Sequence, residues 1–507
     1  MIHSLINSVR HFLGGDGALI LPEMELLLFA LGILLIDRWL AAREKYWNAA
    51  LALGGTVFSG FTLYLLLRKI QVLKDRNPDA PGLLGFHENV LADPFFLYFA
   101  ALFLVATALI VLLSVHYLQI EEEGRGTYYA LLLSACAGMM LMASGINLIV
   151  ILMGLLTMEL SCIFLMGILR RDQRSREARR KYFFRSVIGF AILAAGLPLF
   201  YRMFGTINIG RIGAILDLKI EHDVPFAGLT AWPAIIALGL LAAGMFFKIE
   251  AAPFHLGIPG IYEAAPTPVS AYLSVAAKTA SVVLLLRLYI FIFLYAQEKW
   301  LYVIACVSIA SLTWGNLAAL RQTSLKRLLA YSSISHTGFL LLGLVAGNDS
   351  GFYAIAFYLF VYTFMTAGAF GMVILLHQRG SAGANQNDVD GLYGRSPATA
   401  LLLLVFSASL AGIPPTAGFS ARYAIFKALL ETKHPYLAGF AVLSIVPGLY
   451  YYLRIVLHAW KQPRADAPRL TLTGAQAVAL TVAVFVSLVA GLYSEPFKRL
   501  AHYAFGP

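Results

Sequence analysis

Charged residues are scarce in this sequence. Asp, Glu, Lys and Arg make up 13% of its 507 residues, whereas hydrophobic residues make up 60%. A soluble domain usually carries about 25% charged residues and about 45–50% apolar ones. This composition excludes a soluble enzyme, a disordered chain and a nucleic-acid-binding protein. The mean hydropathy of +0.76 instead predicts a polytopic helical membrane protein, because each spanning helix needs roughly 20 apolar residues.

Cysteines and nucleotide-binding motifs are scarce as well. The three cysteines, Cys136, Cys162 and Cys306, lie far apart in apolar runs, and no CxxC pair occurs. Neither an iron–sulfur cluster nor a thiol redox site is therefore predicted, and we interpret all three as small core residues. The sequence also lacks a P-loop and a GxGxxG that follows a strand.

What the sequence does contain is a series of apolar runs long enough to cross a membrane. We number them as spans 1 to 14. They are residues 19–40, 47–68, 92–117, 127–145, 147–169, 183–205, 230–251, 267–292, 299–320, 326–347, 351–377, 397–432, 436–460 and 472–493. The gaps between them are too short for a soluble domain.

Basic residues are concentrated in three connecting segments. These segments, 170–181, 321–327 and 461–469, follow spans 5, 9 and 13 and therefore share one side of the membrane. Basic loops remain in the cytoplasm. The pattern predicts that this side is cytoplasmic and that both termini lie on the other side. The net charge of +11 is then mostly a consequence of topology.

Two spans are interrupted by proline. Span 7 runs into residues 248–255, which contain Pro253, and span 12 contains residues 412–418 with Pro414 and Pro415. Proline removes a backbone donor, so the freed carbonyls need other partners inside the membrane. Broken helices at corresponding positions indicate inverted repeats. We predict four segments: 1–117 (spans 1–3), 127–292 (spans 4–8), 299–460 (spans 9–13) and 472–493 (span 14).

Five ionisable residues inside apolar spans are singled out as functional candidates, because a charge there costs about 2.5–3.5 kcal/mol or more. They are Glu159, Lys248, Lys278, His336 and Arg422. A desolvated lysine gives up its proton more readily, and a nearby carboxylate holds that proton in place. Glu, Lys, Lys and His in series therefore predict a proton relay along the membrane, with Glu159 and Lys248 as its coupled switch pair.

Structural interpretations of the same residues remain open. Glu159 and Lys248 are also compatible with a static buried ion pair, and Lys248 with a side chain that reaches the cytoplasmic surface. His336 lies among hydroxyl residues and is compatible with a hydrogen-bonded core histidine. Lys326 and Arg327 begin span 10 on the basic side, where they are interpreted as topological anchors.

Several stretches along nearly the whole chain carry a family resemblance. They are residues 22–23 (PE), 34–37 (LLID), 128–132 (YYALL), 138–144 (GMMLMAS), 247–248 (FK), 253–255 (PFH), 262–269 (YEAAPTPV), 325–336 (LKRLLAYSSISH), 411–419 (AGIPPTAGF) and 448–454 (GLYYYLR). On these residues the chain resembles the antiporter-like membrane-arm subunits of complex I, the proton-translocating NADH:quinone oxidoreductase. It is most similar to their N-type members.

The resemblance also implies roles for individual residues. Glu159, Lys248, Lys278 and His336 match the ionisable residues that the family carries in spans 5, 7, 8 and 10, and Lys181 resembles the basic residue near the start of span 6. Arg422 departs from the family pattern, which has a lysine four residues after the glycine at position 418.

Arginine stays protonated in proteins, so Arg422 cannot release a proton. We expect it to face water or a partner carboxylate and to act as a fixed positive charge. Lys427 is a weaker candidate for the exit residue.

The resemblance places the redox chemistry elsewhere. FMN, iron–sulfur clusters and a quinone are expected on other subunits of a complex in the bacterial inner membrane, with no cofactor, metal or nucleic acid on this chain. The expected partners are other membrane subunits, the peripheral redox arm and the lipid bilayer. Two alternatives remain: a subunit of a cation/proton antiporter or membrane-bound hydrogenase, and a scaffold that conducts no protons.

Overall fold

The chain is a bundle of membrane-spanning helices. The computed structural model describes residues 15–41, 44–78, 80–121, 125–221, 232–377, 385–462, 470 and 472–505. Within them, 11 helices are long and apolar enough to cross a membrane, and two shorter apolar helices add to these. The first two residues of span 7 and residues 463–469 of the third basic segment lie outside the described residues.

The helices follow one another with short connections. In chain order they are α1 (Leu21–Ile36), α2 (Trp47–Arg76), α3 (Pro94–Glu121), α4 (Arg125–Ser144), α5 (Leu148–Met166), α6 (Gln173–Phe204), α7 (Ile209–Glu221), α8 (Trp232–Lys248), α9 (Ile258–Ala264), α10 (Thr267–Tyr272), α11 (Lys278–Phe291), α12 (Gln297–Leu320), α13 (Leu325–Ala346), α14 (Asp349–Leu375), α15 (Leu392–Arg395), α16 (Pro397–Ala411), α17 (Ala417–Glu431), α18 (Pro435–Leu443), α19 (Ile445–Ala459), α20 (Gly474–Leu492) and α21 (Glu495–Tyr503). Each of the 14 predicted spans has its counterpart among them, so the all-α, 14-helix prediction is confirmed.

Some helix boundaries differ from the prediction. α2 continues to Arg76 rather than ending at residue 68, and α6 begins at Gln173 rather than at residue 183. Charged residues at these helix ends lower the hydropathy without stopping the helix, which is why the apolar runs were shorter. The connections also contain elements that hydropathy does not reveal. An antiparallel hairpin pairs β1 (Leu83–Gly85) with β2 (Val90–Ala92), and the short helices α7 and α21 follow spans 6 and 14.

The cysteine interpretation is correct for two residues and wrong for the third. Cys136 and Cys162 are buried and unpaired, but Cys306 is exposed. It lies on α12, where Tyr302 and Leu317 are exposed as well. An apolar run therefore identifies a spanning helix, but it does not separate residues that face lipid from residues that face the core.

Contacts between connections define two faces of the bundle. We call the side that carries residues 170–181 and 321–327 the basic face. Here Arg454 donates to the Leu320 and Gln322 carbonyls, at 3.0 and 2.8 Å, which joins the ends of spans 13 and 9. Backbone bridges join further connections: Ser324 with Asn385 on the basic face, and Val90 with Gly145 and Asn147 with Asn208 on the opposite face.

Both predicted helix breaks are present. The span 7 break, residues 249–257, separates α8 from α9, and the span 12 break, residues 412–416, separates α16 from α17. Gly412 has φ +81°, and Glu250 has φ +60°, a value that is uncommon for a residue with a side chain. A π-helical turn, Leu273–Ala277, forms a third irregularity that ends directly before Lys278.

Two helix pairs approach closely through glycines. α4 and α5 meet where Gly138 faces Gly154, and α12 and α13 meet at Gly315 and Gly338. A Cβ at any of the four would lie within 3.0 Å of backbone atoms of the partner helix. These are the first two helices of each predicted five-helix segment, which is consistent with a repeat. The boundaries of the four segments remain a prediction.

This packing gives a first prediction, for Gly154→Ala. The new Cβ would lie 2.8 Å from both the Gly138 carbonyl oxygen and the Met142 nitrogen, and backbone cannot yield as a side chain does. Overpacking of this kind costs about 1–3 kcal/mol, so the thermal midpoint of the detergent-purified protein should fall. The control is Gly239→Ala on α8, where no atom lies within 4 Å of the added carbon. Equal midpoints for the two variants would contradict close packing of α4 and α5.

Candidate functional site

Glu159 and Lys248 form a buried ion pair. α5 supplies Glu159 near its middle, and Lys248 is the last residue of α8. The two side chains are 6% and 4% exposed, and the ammonium contacts Glu159 Oε1 and donates to the Ser186 carbonyl at 3.2 Å. Gly189 on α6 leaves room for the lysine, because a Cβ there would lie 3.1 Å from Nζ. The pair that the sequence analysis predicted is therefore present, inside the bundle.

A second buried ion pair lies beside the first. Lys278 Nζ is 2.7 Å from Glu250 Oε2, and the lysine side chain is 1% exposed. Tyr262 on α9 donates its hydroxyl to Glu250 Oε1 at 3.1 Å. The sequence analysis missed Glu250, which stands at the end of span 7 and was not counted among the intramembrane charges. The signal was a carboxylate inside a predicted break, where it is buried once the chain leaves the helix.

Hydroxyl groups extend the second pair to His336. Lys278 donates to Ser333 Oγ on α13, and Tyr362 on α14 donates to the same oxygen at 2.9 Å. The His336 ring is 5.3 Å from the Tyr362 ring, and its Nδ1 is 2.6 Å from the Tyr358 hydroxyl. Ser333 and His336 are three residues apart and therefore lie on one side of α13. Polar side chains therefore extend from Lys278 to Tyr362, whose ring contacts the His336 ring.

Arg422 binds the end of a broken helix. Its guanidinium donates to the Ala411 and Leu410 carbonyls, both at 2.6 Å, and lies 4.9 Å from the centre of the Phe339 ring. The last carbonyls of α16 have no intrahelical partners, since the span 12 break interrupts the helix there. The side chain is buried. The expectation for it is water or a partner carboxylate, and the partners that the structure shows are backbone carbonyls. A cation also suits the negative end of a helix dipole.

Arg185, on α6, makes the matching contact at the span 7 break. It donates to the Phe247 carbonyl at 2.9 Å and to the Leu256 carbonyl at 3.3 Å, and it lies over the Phe247 ring at 4.4 Å. It therefore joins the two sides of the break next to the first ion pair. Sequence reasoning missed Arg185, although a lone arginine at the start of a span was a visible signal.

Two weaker candidates lie apart from these residues. The Lys181 side chain is 55% exposed and pairs with Glu177 at 2.6 Å, one helical turn away on the same helix. The Lys427 side chain is 67% exposed and pairs with Glu431 at 3.6 Å in the same way. Neither side chain contacts the buried chain of ionisable groups.

The buried groups form one line through the bundle. It runs from Glu159 and Lys248 through Glu250 and Lys278, then through the hydroxyl groups to His336. Among the described residues, no group of three or more His, Cys, Asp or Glu side chains could hold a metal ion. The line can move protons between side chains, which requires only ionisable groups, hydroxyls and water.

Comparison with known proteins identifies the family. A family model described as "NADH:quinone oxidoreductase/Mrp antiporter, TM" matches residues 144–447, more than half of the chain. The NADH-quinone oxidoreductase subunit N 1 of Koribacter versatilis is 42% identical over 96% of this chain and 95% of its own length. The chain belongs to this family.

Further relatives of this NADH:quinone oxidoreductase/Mrp antiporter family member agree with the N-type resemblance. The subunit N 2 of Solibacter usitatus is 40% identical, over 98% of this chain and 97% of its own. A chain of respiratory complex I from Thermus thermophilus superposes with a TM-score of 0.77 at 28% identity, covering 95% of this chain and 99% of that one. The matched family region contains Glu159, Lys248, Lys278, His336 and Arg422.

The hydroxyl bridge of this family member gives a second prediction, for Ser333→Ala. Ser333 accepts from both Lys278 and Tyr362, and a hydrogen bond to a charged group is worth about 1.5–3 kcal/mol. Proton pumping by reconstituted complex should fall by about tenfold, the rate equivalent of roughly 1.4 kcal/mol. Ser281→Ala is the control, since the Ser281 hydroxyl donates to the Ala277 carbonyl, four residues earlier in the same span. Unchanged pumping in an assembled Ser333→Ala complex would disprove the bridge.

Proposed function

We propose that this chain is the proton-translocating N subunit in the membrane arm of a bacterial NADH:quinone oxidoreductase. The observation that carries this proposal is the presence of two buried ion pairs at one helix break. Glu159 pairs with Lys248, and Glu250 pairs with Lys278. A scaffold subunit has no need for two lysines held away from water, since each burial costs several kcal/mol before pairing. The near full-length similarity to subunit N proteins supports this choice over the antiporter and hydrogenase alternatives.

The span 7 break is the part that switches the pairs. Lys248 ends α8 and Glu250 lies two residues later in the break, so one backbone movement changes both pairs. Two unit charges about 3 Å apart attract by about 5–6 kcal/mol at an effective dielectric constant of about 20, and by about 2 kcal/mol at about 7 Å. The difference of about 3 kcal/mol changes proton affinity more than a hundredfold. Opening one pair therefore releases a proton from its lysine, and closing it recovers one.

The second segment passes the proton on and keeps a permanent charge. Ser333, Tyr362 and Tyr358 connect Lys278 to His336 through hydroxyl groups that both donate and accept. Arg422 stays positive and lowers the proton affinity of these neighbours. It thereby favours onward movement of the proton toward an exit through water or another residue, such as Lys427.

The quinone chemistry and the redox cofactors belong to other subunits. Quinone reduction elsewhere drives the switch, and FMN, iron–sulfur clusters and the quinone are held by partner chains, with no redox centre on this one. The chain lies in the inner membrane with its basic face in the cytoplasm and both termini on the periplasmic side. Copurification separates the alternatives, because NADH-oxidising partners with clusters accompany a complex I subunit, whereas an antiporter brings membrane subunits alone.

The third prediction concerns the first ion pair. Glu159→Gln and Lys248→Ala should each lower quinone reductase activity and proton pumping together, by about tenfold or more, because a positioned proton-transfer group is worth about 10²–10⁴ in rate. Assembly, checked by native gel, should be intact. The control is Glu495→Gln, an exposed carboxylate paired with Arg499 on α21. Wild-type pumping by an assembled double variant would rule out the switch and leave a static ion pair.

The fourth prediction tests the fixed charge at the span 12 break. Arg422→Lys keeps a cation next to the Leu410 and Ala411 carbonyls and should pump normally. Arg422→Gln keeps a donor but removes the charge, so pumping should fall by about tenfold, or roughly 1.4 kcal/mol, with assembly intact. The measurements are pumping in proteoliposomes and subunit content after purification. Normal pumping by Arg422→Gln, or a defect explained entirely by loss of a partner subunit, would contradict the role.

A further inference from the structure

Lys326 is a third buried lysine, and the relay described above does not use it. It is the second residue of α13, is 4% exposed, and donates its ammonium to the Ala265 carbonyl at 2.6 Å. Within the described part of the chain, no carboxylate lies within 4 Å of this ammonium. A buried cation without a paired anion is costly, so the position needs a reason beyond packing.

The neighbouring residue shows what a topological anchor looks like here. Arg327 follows Lys326 on α13, but its side chain is 40% exposed and lies 3.5 Å from Glu263 at the basic face. The sequence analysis interpreted both residues as anchors. The structure separates them, because Arg327 remains at the surface and Lys326 points into the bundle.

Two helices, α13 and α9, link the position of Lys326 to the second ion pair. On α13 it precedes Ser333 by seven residues, about 10 Å along the helix and on the same face. Ser333 in turn accepts from Lys278. The Ala265 carbonyl lies at the end of α9, whose Tyr262 donates to Glu250. Lys326 therefore lies between the basic face and the pair formed by Glu250 and Lys278.

On the other side of Lys326, ionisable groups continue to the surface. His377, just after α14, places Nε2 2.7 Å from Glu121 Oε1 at the end of α3, and its ring lies 4.3 Å from the Tyr117 ring. The contact between His377 and Glu121 joins two groups that can exchange a proton. Three charged groups act on Lys326: Glu263 on α9, Asp172 directly before α6, and Arg174 on α6. The charge of Lys326 in turn acts on His377.

We propose that Lys326 takes up protons from the basic face and delivers them to the ion pair of Glu250 and Lys278. In each cycle an Nζ–H bond breaks, its proton passes through water to Glu250 or to Lys278 after that lysine has discharged, and the neutral amine is reprotonated from the side of Glu121 and His377. No electron moves and no other reactant is consumed. The α9 carbonyl holds the ammonium in place between transfers. This inference rests on the proposed function, since it supplies the proton that the switch releases.

Lys326→Arg tests this role directly. Arginine keeps the positive charge and a donor for the Ala265 carbonyl, but it does not release a proton. A structural cap or an anchor therefore survives this substitution, whereas a carrier does not. We expect an assembled complex whose proton pumping falls at least about tenfold, like removal of other positioned proton-transfer groups. The matched control is Arg327→Gln, which alters the exposed neighbour and should pump as wild type. Normal pumping by Lys326→Arg overturns the proposal.

A second pair of variants applies if Lys326→Arg does not assemble. Lys326→His and Lys326→Gln are similar in size and uncharged near neutral pH, but only histidine exchanges a proton there. Pumping by the histidine variant together with a silent glutamine variant supports the carrier role, and equal pumping by both overturns it. Glu159→Gln is measured in parallel. If that variant pumps normally, the proposed function itself fails. If it is impaired while Lys326→Arg pumps, only this inference fails.

Discussion

The span 7 break is the constraint on which the polar interior of this protein depends. By ending α8 at Lys248 and restarting the helix only at Ile258, it turns Glu250 into the bundle instead of toward the helix surface. The unpaired carbonyls that result need donors, because the membrane interior supplies little water. Arg185 satisfies two of them, at Phe247 and Leu256. Both ion pairs thus meet at one short segment, which begins directly after Lys248 and contains Glu250.

An arginine side chain stabilises each of the two breaks, but the consequences differ. In each, a guanidinium satisfies the carbonyl end of a half-helix, which places a permanent positive charge at the negative end of a dipole. At the span 7 break this cation, Arg185, lies beside a glutamate and a lysine that can exchange a proton. At the span 12 break Arg422 is itself the residue in the relay position. Under the proposed function, the ion pairs beside Arg185 change their charge, whereas Arg422 keeps its own charge constant.

Sequence alone predicted the 14 spans from hydropathy, the two breaks from the prolines at 253, 414 and 415, and the pairing of Glu159 with Lys248 from opposite charges in apolar runs. It did not predict Glu250 as a ligand of Lys278. That contact depends on the backbone path through the break, where a positive φ turns the side chain inward. The sequence analysis also interpreted both Lys326 and Arg327 as topological anchors. Adjacent residues on a helix point about 100° apart, so only packing against α9 shows that one is buried and the other exposed.

Under the proposed function, the contrast between the two segments gives proton movement its direction. In the first, carboxylates hold protons on lysines, so each transfer is a change of partner between charged groups. In the second, the described polar groups next to His336 are the hydroxyls of Ser333, Tyr358 and Tyr362, which stay neutral while they relay. A proton that enters this neutral region next to a fixed guanidinium is repelled and has no carboxylate to retain it. Storage in the first segment and release in the second then follow from the distribution of charge, without a moving part in the second.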